Sequence, residues 1–187
     1  MRDAVRFLFE VGHLKRVARS GWWVAGVRDP ESVAEHSFRC AWIGYLLAQR
    51  DGRGDPARVT LMCLMNDLHE ARINDSHKVA QAYFDFAAAE TRAFADLAAT
   101  VPEGETLLRL HHEYQAAETH DARLARDADR LEAAFQAIEY MAEGHRAAEP
   151  WIESARAALR TEVAREMFGA LVDFDPLTWY HDMPRVP

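Results

Sequence analysis

The chain has 187 residues, 49% of them hydrophobic, and a formal net charge of −8 at neutral pH. This length supports one domain with a sizeable core, and the apolar fraction excludes wholesale disorder. The negative balance argues against a general role in binding nucleic-acid polymers, while a local cluster of Arg and Lys remains able to hold one small anion.

The periodicity is helical nearly throughout. Residues 3–18 place Val5, Leu8, Phe9, Leu14 and Val17 on one side. Pro30 and Ser32 open a second helix through Val33, Phe38, Trp42, Ile43, Leu46 and Leu47, and Gly52 and Gly54 close it. Asp55-Pro56 reads as an N-cap with proline at the first helical position. The third helix then carries Val59, Met62, Leu64, Met65 and Leu68 and delivers Asn66-Asp67 near its end. Residues 71–84 read as irregular or short-helical, 86–99 as an alanine-rich helix, and 103–118 as a helix around Leu107, Leu108 and Leu110. Residues 121–143 form the longest helix, stopped by Gly144. One last helix follows Pro150, with Ile152, Ala155, Leu159, Val163 and Met167, and residues 173–187, with Pro176, Pro184 and Pro187, read as a docked or loose tail. There is no alternating strand pattern, repeat or linker. The expected architecture is a single all-α bundle of about six to eight helices.

No apolar run approaches the roughly 18–20 residues of a membrane span, and the N-terminus lacks a signal-peptide pattern. Cys40 and Cys63 lie inside apolar runs and read as buried, reduced thiols, as in a cytoplasmic protein. Trp23, Trp42, Trp151 and Trp179 read as core or interface aromatics, and His111, His112 and His120 as residues in polar surroundings that form no set.

His36, Asp67 and Asp129 stand on three different helices, and an imidazole with two carboxylates suits a first-row divalent metal. The helical wheel leaves the distal acid open. Asp127 shares the apolar stripe of Leu124 and Leu131, whereas Asp129 shares a polar stripe with Glu132, Gln136 and Tyr140 that could line a cavity. Glu70 lies on nearly the same face as Asp67; its plain reading is a solvent-facing acid. Lys78 is a candidate phosphate contact whose plain reading is a solvated lysine.

Four blocks in order carry a family resemblance: Leu14-Lys15-Arg16-Val17-Ala18-Arg19-Ser20-Gly21-Trp22, then Ser32-Val33-Ala34-Glu35-His36-Ser37, then Asn66-Asp67-Leu68-His69-Glu70-Ala71-Arg72-Ile73-Asn74-Asp75, then Asp127-Ala128-Asp129-Arg130-Leu131-Glu132. Together they resemble the HD-domain metal phosphohydrolases, in particular the small 5'-deoxynucleotidase branch, over about residues 7–145. The resemblance implies an all-helical homodimer that needs a divalent metal (Mn, Co or Mg, with Zn or Fe as alternatives) and removes phosphate from deoxynucleoside 5'-monophosphates. It implies His36, Asp67 and Asp129 as metal ligands, with Asp127 a solvent-facing or backing group. It implies Glu70 as acid and base, Arg19 and Trp22 as grips on phosphate and sugar or base, and Asp75 as a substrate-positioning group.

Asn66 departs from the pattern, because the family has a metal-binding His at that position. Its amide oxygen is a poorer ligand for Zn²⁺, Co²⁺ or Fe²⁺ than an imidazole. Three outcomes stay open: a harder ion held through oxygen, a weak and slow site, or a lapsed enzyme that binds nucleotide or a partner. His69, one turn on, can in principle supply the missing imidazole; its plain reading is a surface or backing histidine.

Overall fold

The apolar runs around His36, Met62 and Leu124 become three helices packed directly on one another. The structure, a computed structural model, describes residues 1–184. Its helices are α1 (Arg2–Val11), α2 (Gly21–Val24), α3 (Val33–Asp51), α4 (Pro56–Met65), α5 (Glu70–Ile73), α6 (Lys78–Gln81), α7 (Phe86–Ala98), α8 (Gly104–Ala116), α9 (His120–Ala142), α10 (Glu149–Ala158), α11 (Glu162–Val172) and α12 (Thr178–His181). Eight of these have ten residues or more and four are single turns, so the all-α bundle has more pieces than the six to eight expected. Among the described residues, the sole β pairing recorded is an isolated antiparallel bridge of Ala18 with Ser32. No helix among them is long and apolar enough to cross a membrane.

Helix α3 starts where a capping box dictates. Ser32 Oγ accepts from the Glu35 backbone N–H at 3.2 Å, and Glu35 Oε2 accepts from the Ser32 backbone N–H at 2.6 Å. Helix α4 starts on Asp55, whose carboxylate accepts from the N–H groups of Ala57 and Arg58, with Pro56 in the first turn. The two helices meet at Gly44, where an added Cβ would stand 2.6 Å from Cys63 Sγ. Leu47, Val59, Met62, Leu124 and Leu131 fill the space between α3, α4 and α9.

Three expectations are corrected. The N-terminal helix stops at Val11 and passes into a 3₁₀ turn over Gly12–Arg16, so Leu14 and Val17 are buried while Val5, Leu8 and Phe9 remain exposed. Trp23, Trp42 and Trp179 are 53%, 56% and 62% exposed, which removes the core alternative of their core-or-interface reading and leaves the interface one. The single last helix is two, α10 and α11, broken at Leu159–Thr161. Pro187, read as part of the tail, lies outside the described residues.

The break is held by Asp127, which is fully buried and not solvent-facing. Its carboxylate accepts from the backbone N–H groups of Arg160 (3.0 Å) and Thr161 (2.7 Å) and from Thr161 Oγ1 (2.8 Å), and Arg130 Nη1 lies 3.0 Å away. It therefore caps α11 from a helix more than thirty residues upstream. Replacing it with alanine would leave buried donors without a partner. Asp127→Ala should cost about 3 kcal/mol, a fall of roughly 6–12 °C in Tm for a chain of this size. A thermal melt by circular dichroism checks this, and an unchanged Tm would show that the α10–α11 break does not depend on it.

Candidate metal centre

The isolated bridge begins the site. Arg19 N–H donates to the Glu31 carbonyl and Val33 N–H to the Val17 carbonyl, which lays Arg19 beside the first turn of α3. His36 comes from that turn, Asp67 from the residues just after α4, and Asp129 from the middle of α9.

His36 is almost wholly buried, and its two nitrogens face different partners. Nδ1 bonds the carboxylate of Glu132, which is itself fully buried. Nε2 lies 3.0 Å from Asp129 Oδ1 and 3.5 Å from Asp67 Oδ2. Arg39 holds Glu132 from behind with its Nε at 2.9 Å, and also donates to Gln136 and Glu139. Burial and Arg19 both oppose a charge on His36, but Glu132 and Asp129 outweigh them and keep its pKa well above the ordinary value. Burial would raise Asp129 and Glu132 too, yet the His36 ring holds both low. Asp67 goes the other way: burial raises it more than Arg19 and His36 lower it.

These residues fit a divalent cation. An imidazole nitrogen and two carboxylates converge, and the far nitrogen is fixed by a carboxylate, the arrangement that orients metal-binding histidines. Asn66 is buried beside them, and its Nδ2 donates to Asp67 Oδ1 at 2.8 Å. With the nitrogen so occupied, only its amide oxygen remains for a cation.

A cavity of about 670 Å³ opens over Asp67 and Asp129, a size suited to a small molecule. Arg19, Trp22, Asn66, Glu70, Asp75 and Lys78 also border it. The Arg19 guanidinium lies 3.7 Å from Asp67 Oδ2. Burial disfavours its charge, but Asp67, Asp75, Glu70 and Asp129 more than restore it. Glu70 is buried rather than solvent-facing, and its Oε2 has no hydrogen-bond partner among the described residues. Burial first, then Asp67 and Asp75, push its carboxyl well above the usual range.

Asp75 Oδ2 accepts from the Ser20 backbone N–H at 2.6 Å, so it also braces the turn that carries Arg19. Asn74 before it takes φ 61° and ψ 166°, a region that costs any residue but glycine. Trp22 is a core aromatic with one edge to the cavity. Its Nε1 donates to Glu31 at 2.9 Å, and its ring stacks on Trp151 at 5.0 Å. Lys78 is exposed at the rim.

The polar stripe on α9 does not line the cavity as expected. Of its members only Asp129 does, alongside Arg126 and Ala133; Glu132, Gln136 and Tyr140 turn toward His36, Arg39 and the Glu31 backbone. Arg126, its guanidinium 5.4 Å over the Tyr114 ring, and Trp151 are cavity residues that the sequence reading passed over. His69 is buried, not at the surface, and borders the cavity. His111 is also buried, stacked on Phe94 at 3.8 Å, and burial with His69 and His112 lowers it to about 4. The spacing Asp129–Glu132 and His36–Arg39, three residues each, was the available signal for the backing pair.

The chain is similar to several known proteins in sequence and fold. The chain is 30% identical over 156 residues to the 5'-deoxynucleotidase HDDC2 of Dictyostelium discoideum, covering 78% of this chain and 81% of that one. It is 32% identical over 142 residues to the mouse 5'-deoxynucleotidase HDDC2, covering 73% and 69%. Among solved structures, a conserved hypothetical protein of Pyrococcus furiosus superposes with a TM-score of 0.79 at 30% identity, over 91% of this chain and 99% of that one. A predicted metal-dependent phosphohydrolase of Magnetospirillum magnetotacticum gives 0.69 at 26% identity, over 92% and 93%. Residues 11–170 match the HD domain, and the chain belongs to that family of phosphohydrolases.

Proposed function

We propose that this chain is a divalent-metal-dependent phosphohydrolase that releases phosphate from deoxynucleoside 5'-monophosphates. The observation that carries the reading is His36: its Nδ1 is held by Glu132 and its Nε2 reaches both Asp67 and Asp129, beneath a cavity that Arg19 enters. His36, Asp67 and Asp129 would hold a cation, which would supply Lewis acidity and lower the pKa of a water there. Binding there requires His36 to give up its Nε2 proton, and Glu132 keeps the ring aimed while it does so.

The remaining residues handle the substrate. Arg19 sets a fixed positive charge against the phosphoryl oxygens and draws Asp67 toward it. Glu70 stands over Asp67 as a buried carboxylic acid and gives its proton to the leaving 5'-oxygen. Trp22, backed by Trp151, walls the sugar and base, while Asp75 holds the Arg19 turn and Lys78 waits at the rim. A second copy of the chain completes the assembly, as the resemblance implies.

Asn66 favours a second reading, in which the protein binds nucleotide without turning it over. A phosphate-release panel of deoxynucleotides, ribonucleotides and simple phosphate esters with Mn²⁺, Co²⁺ and Mg²⁺ separates the two. Release from deoxynucleotides is expected; tight binding by calorimetry with no release under any condition would establish the second reading instead. Glu70→Gln should keep the cation at His36 and lower the rate by about 10²–10⁴.

Asn66 and Glu132 can be weighed by cation affinity. Glu132→Gln loosens the grip on His36 and should weaken binding by about 10–100-fold. Asn66→His adds an imidazole at the position where the family has one and should strengthen binding by a similar factor, with a faster rate (an estimate scaled from the same effect). Unchanged affinity in Asn66→His would mean that position 66 does not face the cation.

A further inference from the structure

Behind the His36 centre lie the two thiols of the chain. Cys40 follows His36 by one turn of α3 and so shares its face, and Cys63 stands on the last turn of α4, just ahead of Asp67. Both are almost wholly buried, and neither borders the cavity. Cys63 is committed to packing. Its Sγ donates to the Ala125 carbonyl at 3.8 Å and lies where the missing side chain of Gly44 leaves room for it.

Cys40 faces the centre instead. One ligand atom each of His36, Cys40 and Asp129 lies within 4.8 Å of the other two. His36 Nδ1 is taken by Glu132, so the ring nitrogen open to an ion is Nε2, the atom that also reaches Asp129 and Asp67. An imidazole and two carboxylates leave a tetrahedral ion one position short. Asn66 fills it poorly, because its nitrogen is spent on Asp67 and its oxygen is neutral. Cys40 offers the one soft donor of the group, from the side away from the cavity.

We propose that Cys40 is a further ligand of this centre, engaged only by thiophilic divalent ions such as Zn²⁺, Cd²⁺ or Co²⁺. The proposal rests on the reading of His36 as a cation ligand. Thiolate selects soft ions, whereas Mn²⁺ and Mg²⁺ favour oxygen and leave Cys40 as the thiol. On engagement the S–H bond breaks, its proton leaves to solvent, and a metal–sulfur bond forms. With bonds of about 2.3 Å to sulfur and about 2.0–2.2 Å to nitrogen or oxygen, sulfur stands at most about 4.5 Å from its neighbours on one ion, so the group closes by small side-chain shifts. The thiolate adds a negative charge, which tightens the grip on the ion and weakens its pull on a phosphoryl oxygen. The centre thus sorts ions by softness: oxygen-seeking ions suit the hydrolytic reading, and thiophilic ions take the same place and resist displacement.

Titration of the protein with cobalt(II) and with cadmium(II), read by absorption, tests this. Cobalt in the wild type should show its visible d–d bands together with a near-ultraviolet sulfur-to-metal charge-transfer band. Cys40→Ser should keep the first and lose the second. Its cadmium affinity should fall by at least about 10–100-fold, the loss that follows even indirect disturbance of a ligand, while its Mn²⁺ affinity stays unchanged. Cys40→Ala replaces the serine variant if circular dichroism shows that serine unfolds the core. Cys63→Ser should retain the band, and a band that is lost there but kept in Cys40→Ser would overturn the assignment. Cobalt that binds without the band and is lost in His36→Ala would overturn the role of Cys40 and leave the His36 centre standing. Cobalt binding unaltered in His36→Ala, or no cobalt bound at all, would overturn both.

Discussion

Everything at this centre hangs on one buried imidazole set among acids. His36 ties α3 to α9 through Glu132 and Asp129, and to the end of α4 through Asp67. Such a cluster is costly to desolvate and persists only when each charge has a partner. The structure provides those partners in layers: Arg39 behind Glu132, Arg19 beside Asp67, and Gln136 and Glu139 around Arg39. The capping box at Ser32 and Glu35 fixes where α3 begins, and so fixes the rotation of His36 one turn later. The Ala18–Ser32 bridge then brings Arg19 to the same place.

Helices α3, α4 and α9 were legible in the sequence because each states its own ends. Ser32, Asp55-Pro56 and Gly144 are local signals, and the stripes between them are long. The break between α10 and α11 was illegible for the opposite reason. Ile152, Ala155, Leu159, Val163 and Met167 keep helical spacing across it, and the group that interrupts it, Asp127, belongs to another helix. The wheel did place Asp127 inward. It could not say that the inward acid caps a backbone while its neighbour Asp129 faces the cavity. Only the resemblance separated the two. Val5, Leu8 and Phe9 show a further limit: an apolar stripe marks a helix face, but not whether anything covers it.

The local exchange around Asp67 has a physical logic of its own. Asn66 keeps a polar group against Asp67 but spends its nitrogen there, while an imidazole appears three residues later at His69, buried with a free nitrogen. Both positions are buried, and at three residues apart they lie near one face of the turn that follows Met65. The spacing left His69 as a surface or backing histidine, or a replacement for the missing imidazole, and only the fold shows it buried.

Charge balance links the centre to the kind of substrate it suits. Asp67, Glu70, Asp75, Glu90 and Asp129 border the cavity against Arg19, Arg126 and Lys78. With Glu70 held as the neutral acid, the remaining carboxylates still leave no net positive charge for a phosphate dianion, in a chain whose net charge is already −8. A divalent cation on the carboxylates reverses that sign locally, since a bound metal is the largest charge in its site. In the proposed reaction Arg19 would then be free to turn from Asp67 to the phosphate. In the proposed reaction a cation would reconcile the acidic cavity with an anionic substrate, and the buried imidazole with its carboxylates is what the fold offers to hold one.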